Sequence, residues 1–130
     1  MADTGTYRGK FYNNAGATEL TVTVVTDALG DITSHTSMGA KVLEVIHSGL
    51  GLYQFTLSRT YSGMLADGVS VGILKATDAG ISKFQIISET VTTTKLITIG
   101  FYNHSSPADL AELVSCTLYV TIHVDDASGA

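Results

Sequence analysis

The sequence contains little proline, cysteine or charge, and it contains no tryptophan. It has one proline and one cysteine in 130 residues, and only 15% of its residues are charged. A single cysteine excludes an intrachain disulfide, so apolar packing must supply the core. With 45% hydrophobic residues, the chain is long and apolar enough to fold without a disulfide or a metal. We therefore predict one domain spanning residues 1–130.

Basic residues and long apolar runs are also scarce. Seven Lys and Arg oppose 12 Asp and Glu, giving a net charge of −5, and no two basic residues are adjacent. Binding to a phosphate backbone needs clustered Lys and Arg, so we expect no nucleic-acid partner. No apolar run approaches the length of a membrane span, and the N-terminus has no signal-peptide h-region. We expect no membrane partner and synthesis in a cytoplasm.

What is present is a series of short strand patterns separated by turns. Residues 20–26 and 115–124 alternate apolar and polar side chains, as half-buried strands do. About eight such segments recur at roughly ten-residue spacing, and no helical period persists. The pattern predicts an all-β, antiparallel β-sandwich, jelly-roll-like or immunoglobulin-like, with at most one short helical turn. Periodicity leaves the strand order open between these two topologies.

Residues 41–57 predict the β-hairpin around which the fold is organised. Gly49 and Gly51 in the turn can adopt the positive φ angles of a tight reversal. In the first strand, strict alternation places Leu43, Val45 and His47 on one face. The other face then carries Val42, Glu44 and Ile46. Because neither face is wholly polar, we expect the core on one side and a contact on the other.

Several other segments have local signals. We predict a flexible N-terminal arm at about 1–6, a strand at 7–12 and a long loop at 58–68. A long strand at 91–102 is expected to break near Gly100. Ser106 and Pro107 have the N-cap and first-position residues of one helical turn. Residues 125–130 are expected to form a polar, solvated tail.

No residue pattern predicts catalysis. The four histidines lack HxH or HxxxH spacing, so we expect isolated polar histidines rather than a metal site. Cys116 lies on the apolar face of its strand, which predicts a buried, inert thiol. The chain has no G-x-S-x-G elbow, and Gly49 to Gly51 lacks the strand-to-helix setting of a phosphate loop. We expect no enzyme activity, cofactor or bound metal.

The run GLGLYQFTLSRTYSGML at 49–65 resembles a pattern common in small structural proteins of tailed bacteriophages. There, a G-x-Y-x-hydrophobic-x-L strand is followed by a loop and a strand like 68–74. The strand at 84–88, the Thr-rich strand at 91–101, the PAD connection at 107–109 and the last strand at 116–124 have counterparts too. The resemblance covers the chain from about residue 41 on.

Proteins with this pattern are often capsid decoration (cement) proteins. The resemblance implies a β-sandwich that forms homo-oligomers, with a trimer favoured, and binds the outer capsid lattice. It further implies that the major capsid protein is the partner, that the protein is made in the host bacterial cytoplasm and that it resides on the capsid surface of the virion. No catalytic residues come with the resemblance.

We expect contacts with the capsid or other subunits through residues 4–10, the loop at 58–67 and one exposed aromatic residue. The candidate residues are Tyr7, Arg8, Lys10, Tyr61, Met64, Leu65 and Tyr119. Tyr119 lies on the polar face of the last strand, where it could anchor an interface or stack on a sugar. Two alternatives remain open: a phage tail or head-fibre component, and a sugar- or receptor-binding β-sandwich module.

Overall fold

Alternating apolar and polar residues direct the chain into strands throughout the computed structural model, which describes residues 17–75, 81–106 and 108–126. The eight strands are β1 (Ala17–Thr26), β2 (Ile32–Ser37), β3 (Val42–Gly49), β4 (Leu52–Leu57), β5 (Gly63–Leu74), β6 (Ile81–Glu89), β7 (Leu96–Asn103) and β8 (Thr117–Asp125). A 3-10 turn at Met38–Ala40 joins β2 to β3. No helix in the described ranges is long and apolar enough to cross a lipid bilayer. The predicted arm, the strand at 7–12, Tyr7, Arg8 and Lys10 lie outside the described residues.

The strands form two four-stranded antiparallel sheets that pack together as a β-sandwich, which confirms the predicted fold class. One sheet has the order β2-β1-β8-β5, and the other has the order β3-β4-β7-β6. In the first sheet β1 pairs with β8 from Ala17 opposite Asp125 to Val25 opposite Thr117. The segments 27–31 and 110–116 therefore lie at one end of the sandwich, and Ala17 lies at the other end. Hydrogen bonds from Phe101 to Gly51 and from Gly51 to Glu112 bring the β3–β4 turn, residues 48–51, to the first of these ends.

The core lies between the two sheets and follows the alternation expected in several strands. Leu20, Val22 and Val24 of β1 are buried, as predicted. The apolar face of the last strand is also buried, from Cys116 to Val124. The second sheet contributes buried aromatic and aliphatic side chains, and these include Tyr53, Phe55, Leu57, Ile97, Ile99 and Phe101. Removing this apolar surface from water is the main force that holds the sheets together.

The predicted side-chain faces of β3 are wrong, because two β-bulges interrupt the strand. The register shifts between Val42 and Glu44, and again between His47 and Gly49. The extra residue in a bulge breaks the two-residue alternation, so Val42 and Val45 both point into the core. Leu43 and Ile46 are 55% and 41% exposed. In the turn that follows, only Gly51 has a positive φ, +65°.

The predicted loop at 58–68 is wrong beyond residue 62, where β5 begins. Met64 pairs with Val124 of β8, and residues 65–68 form a wide irregularity before Val69 rejoins the ladder. Gly68 permits this detour with a φ of +58°. Met64 and Leu65 are half-buried rather than exposed. The two glycines and the polar residues at 58–68 are typical of a loop. They form part of a strand here because β8 supplies a hydrogen-bonding partner.

The predicted break near Gly100 is absent, because β7 continues through it and pairs with β4 in constant register. A Cβ atom at Gly100 would approach the Ile87 side chain to 3.0 Å, so the glycine serves close packing instead. The strand begins at Leu96 rather than at residue 91, and residues 91–94 form a turn. Val91 nevertheless reaches the core from that turn.

The helical turn predicted at 106–112 is also absent from the described residues of that segment. Asn103 Oδ1 accepts hydrogen bonds from the backbone N–H groups of Ser105 and Ser106 instead. Leu110 then forms an isolated β-bridge with Tyr102. Asn side chains commonly form such local turns, and these compete with helix initiation. Pro107 itself lies outside the described residues.

Asp125 was expected to begin a polar, solvated tail, and this expectation is wrong for that residue. Asp125 belongs to β8, and its carbonyl accepts hydrogen bonds from Ser62 N–H and Ser62 Oγ. Asp126 forms an ion pair with Arg59, and the hydrogen bond from this guanidinium lowers the pKa of the carboxyl. Residues 127–130 lie outside the described residues.

Candidate functional site: a histidine between two carboxylates

His47 lies near the end of β3 and contacts two carboxylates from distant parts of the chain. Its Nδ1 is 2.7 Å from Asp31 Oδ1. Its Nε2 is 2.8 Å from Glu112 Oε2 and 2.9 Å from Glu112 Oε1. The side chain of His47 is only 14% exposed. The expectation of isolated histidines is therefore wrong at this position.

The turn between β1 and β2 brings Asp31 to the histidine. Asp27 Oδ1 accepts hydrogen bonds from the N–H groups of Leu29 and Asp31, at 2.8 and 3.0 Å. Gly30 completes the turn with a φ of +84°, a conformation that side chains with a Cβ atom rarely adopt. The Asp-x-x-Gly-Asp sequence thus forms a hydrogen-bonded turn that places Asp31 beside His47.

The ring of Tyr53 on β4 packs against the ring of His47. The two rings stack with their centroids 4.8 Å apart and their planes 14° from parallel. The Tyr53 hydroxyl donates a 2.7 Å hydrogen bond to Gly30 O and accepts one of 3.3 Å from Leu113 N–H. One buried phenol therefore joins the same two segments that supply the carboxylates.

The β3–β4 turn holds Glu112 directly. The N–H of Gly51 donates a short hydrogen bond to Glu112 Oε1. The carbonyl of Gly51 accepts a 2.9 Å hydrogen bond from Phe101 N–H. Phe101 O in turn accepts from Ala111 N–H at 2.8 Å. The backbone of residues 110–113 is thereby fixed against the turn, with Glu112 facing His47.

The electrostatics of this site follow from burial and from the two carboxylates. Burial lowers the pKa of His47, but hydrogen bonds and charge interactions with Asp31 and Glu112 outweigh it, so the pKa is raised. Burial raises the pKa of Tyr53 to about 12. At neutral pH the phenol therefore remains neutral, and the two carboxylates favour the protonated form of the His47 ring.

This arrangement suits a structural ion pair better than acid–base catalysis. Both ring nitrogens of His47 face carboxylate oxygens, so neither is directed at a hydroxyl or thiol that it could activate. Across the ranges 17–75, 81–106 and 108–126, no group of three or more His, Cys, Asp or Glu residues could hold a metal ion. Cys116 is buried, and burial raises the pKa of its thiol, as expected for an inert cysteine.

A second histidine lies beside a surface cavity at the opposite end of the sandwich. His123 Nδ1 is 3.4 Å from Asp67 Oδ2 and 3.6 Å from Glu19 Oε2. The cavity has a volume of about 820 Å³, and Ala17, Thr18, Leu65 and Ala66 complete its lining. Both carboxylates are about two-thirds exposed, so these ion pairs are weak and screened.

Of the predicted contact residues that the structure describes, Tyr61, Met64, Leu65 and Tyr119, no single surface includes all four. Tyr61 is 3% exposed and belongs to the core, where Arg59 lies over its ring at 4.3 Å. Met64 and Leu65 lie in β5, and Met64 packs against the core. Tyr119 is 50% exposed on the outer face of β8. A direct contact through the Tyr61 ring is therefore unavailable, while contacts through the others stay predictions.

Sequence reasoning missed the His47 site because its residues are far apart in the chain. Asp31 precedes His47 by 16 residues, and Glu112 follows it by 65. Spacing rules detect ligands on one strand or helix, and they cannot detect three loops that meet at one end of a sandwich. The Asp-x-x-Gly-Asp sequence at residues 27–31 is typical of a turn, but it does not reveal that Asp31 contacts His47. No protein-family model, curated protein or solved structure matches the chain.

Proposed function

We propose that this protein is a non-enzymatic virion component that binds the outer surface of a tailed-bacteriophage capsid and stabilises its lattice. The proposal rests on the resemblance of residues 49–65, and of the strands that follow, to phage structural proteins. One structural observation supports it, which is an apolar surface along the edge of the sandwich. In this proposal the partner is the major capsid protein.

This apolar surface, the β3 edge, consists of exposed side chains on β3 and on the two turns beside it. Met38 is 78% exposed, Leu43 55%, Ile46 41% and Leu50 62%. Strand β3 ends its sheet, so its outer side has no strand partner within the described residues. Soluble monomers usually protect edge strands with charge or proline, and exposed apolar residues there favour association. The β3 edge therefore fits a surface that another protein covers.

Binding of this kind would stabilise a capsid by mass action. A protein that binds the assembled shell but not its dissociated subunits shifts the equilibrium toward the shell. A symmetric homo-oligomer, with the trimer favoured, would present the β3 edge several times and strengthen each weak contact. The low charge content of the chain, 15%, suits such broad apolar and polar contacts.

The proposal is tested by mixing the purified chain with shells assembled from the major capsid protein of the same phage. Co-sedimentation measures binding, and cryo-electron microscopy of the decorated shells locates the protein. The paired change Leu43→Ser and Ile46→Ser should weaken binding about tenfold or more, because each lost apolar contact removes roughly a kcal/mol or more. Leu74→Ser is the matched control, since Leu74 is 59% exposed on β5, an edge strand of the other sheet.

Other outcomes would contradict the proposal or relocate the protein. Failure of the unmodified chain to bind such shells at any concentration would exclude capsid decoration. Density at the tail or at a head fibre of intact virions would support that alternative instead.

Tyr119 supplies the observation that favours a sugar-binding module, because it is an aromatic ring 50% exposed on a sheet face. Glycan-array binding that Tyr119→Ala abolishes would favour that function.

A further inference from the structure

We propose that His47 is a pH-sensitive clamp. In its protonated form it ties the turn at 27–31 and the segment 110–113 to the β3–β4 turn, and loss of the proton loosens both. This inference does not depend on capsid binding. It concerns the end of the sandwich where three loops meet.

With both carboxylates ionised, the geometry favours a doubly protonated ring. A neutral imidazole has one N–H group and one nitrogen lone pair, whereas the imidazolium has two N–H donors. His47 has carboxylate oxygens at 2.7 Å from Nδ1 and at 2.8 Å from Nε2. A neutral ring would therefore direct a lone pair at Asp31 or at Glu112, and that contact would become repulsive. Both contacts are favourable only when the ring carries its second proton.

Three titratable groups face the ring, and each comes from a different element. Asp31 lies at the end of the β1–β2 turn, Glu112 in the segment before β8 and Tyr53 on β4. The Tyr53 phenol stays neutral until far above neutral pH because burial raises its pKa to about 12. Deprotonation of His47 would thus leave two carboxylates near one another without the cation between them.

The direction of the pH dependence follows from this arrangement. The pKa of His47 is raised above its usual value of 6.5 by the two carboxylates. Because the pKa of His47 is raised in the folded state, the clamp contributes fully to the free energy of unfolding below about pH 6.5. This stabilisation is lost as pH rises through the raised pKa. The loops are therefore held together below about pH 6.5, and they loosen as pH rises through the raised pKa of His47.

Each clamped turn carries an exposed leucine. Leu29 in the β1–β2 turn is 72% exposed, and Leu50 in the β3–β4 turn is 62% exposed. Holding the two turns together fixes the relative positions of these side chains at one end of the sandwich. The protonation of a single histidine therefore controls the order of an apolar surface, and not merely local stability.

An NMR titration of the His47 ring protons tests the first part of the proposal. The midpoint should lie above 6.5 in the unmodified chain and should fall in Asp31→Asn and in Glu112→Gln, because each change removes one carboxylate. His35→Gln is the matched control, since His35 is a partly buried histidine on β2 that takes no part in the contacts described for His47. A His47 midpoint at or below 6.5, or one unchanged in both variants, would overturn the clamp.

Hydrogen exchange tests the second part. The amides of Gly51 and Leu113 donate to Glu112 and to the Tyr53 hydroxyl. After correction for intrinsic rates, both should be severalfold better protected at about pH 6 than at about pH 8.5. His47→Gln should abolish this difference, whereas His35→Gln should preserve it. If His47→Gln does not fold, Glu112→Gln gives the same comparison. A pH difference that persists in folded His47→Gln, or in Glu112→Gln if that variant is used instead, would contradict the proposal.

Discussion

Thr26 and Cys116 bind each other through three hydrogen bonds across 90 residues of sequence. The N–H of Thr26 donates to Cys116 O at 2.9 Å, and the N–H of Cys116 donates to Thr26 Oγ1 at 2.9 Å. The Thr26 hydroxyl also donates to Cys116 O at 3.4 Å. Thr26 is only 4% exposed, so these bonds are made away from water. They join the end of β1 to the start of β8.

Thr26→Val should destabilise the fold although it preserves the shape of the side chain. The change removes the acceptor of the buried Cys116 N–H, and an unsatisfied buried donor costs about 1–3 kcal/mol. Urea unfolding followed by circular dichroism measures the loss in the free energy of unfolding. Thr26→Ser keeps the hydroxyl and should lose less. Equal stability of Thr26→Val and the unmodified chain would show that water replaces this acceptor.

Gly51→Ala should destabilise the end of the sandwich that contains His47. Gly51 has a φ of +65°, and an added Cβ would lie 2.8 Å from the backbone N and O of Ala111. The left-handed backbone alone costs about 1–3 kcal/mol for a residue with a side chain, and the clash adds to it. Gly63→Ala is the matched control, because a Cβ there meets no atom within 4 Å. Denaturant unfolding should separate the two variants clearly.

Tyr53→Phe removes the hydroxyl that joins Gly30 to Leu113. The backbone carbonyl of Gly30 and the N–H of Leu113 would both lose a partner, at a cost of about 1–3 kcal/mol in the free energy of unfolding. Tyr119→Phe changes the same group on a ring that is 50% exposed, and it should alter stability by less than about 0.5 kcal/mol. A similar effect of the two changes would mean that the hydrogen bonds of the Tyr53 hydroxyl to Gly30 and Leu113 add nothing to the free energy of unfolding.

The stability of the unmodified chain should fall in strongly alkaline solution because of Tyr53. Burial raises the pKa of this phenol from 10.0 to about 12, so the folded state holds the proton longer than the unfolded state does. The stabilisation that the neutral Tyr53 phenol gives the folded state is complete below about pH 10. It is lost as pH rises toward about 12. Unfolding free energies measured across this range should show a decrease that Tyr53→Phe partly removes. Ultraviolet difference spectra report the tyrosinate directly.

The alternation of apolar and polar residues predicted the buried faces of strands that contain no β-bulge. It predicted the wrong faces where a bulge adds one residue to the strand. In β1 and β8 the apolar positions, such as Val24 and Leu118, are buried as expected. In β3 a bulge beside Leu43 moved this side chain to the surface, because hydrophobic pattern alone does not reveal an extra residue. The strand order and the partners of His47 depend on contacts between distant segments. Leu113 is fully buried but lies outside the strands, so no alternating pattern predicts its burial.

The pairing of β1 with β8 also determines how the fold would respond to force. Ala17 lies opposite Asp125, so these two residues lie at the same end of one antiparallel ladder. Tension applied across these two points would pull the strands apart sideways, and the rungs would carry the load one after another rather than together. Such a ladder opens at low force. A pull between the β1–β2 turn and Asp125 would load β1 and β8 along their length and meet greater resistance.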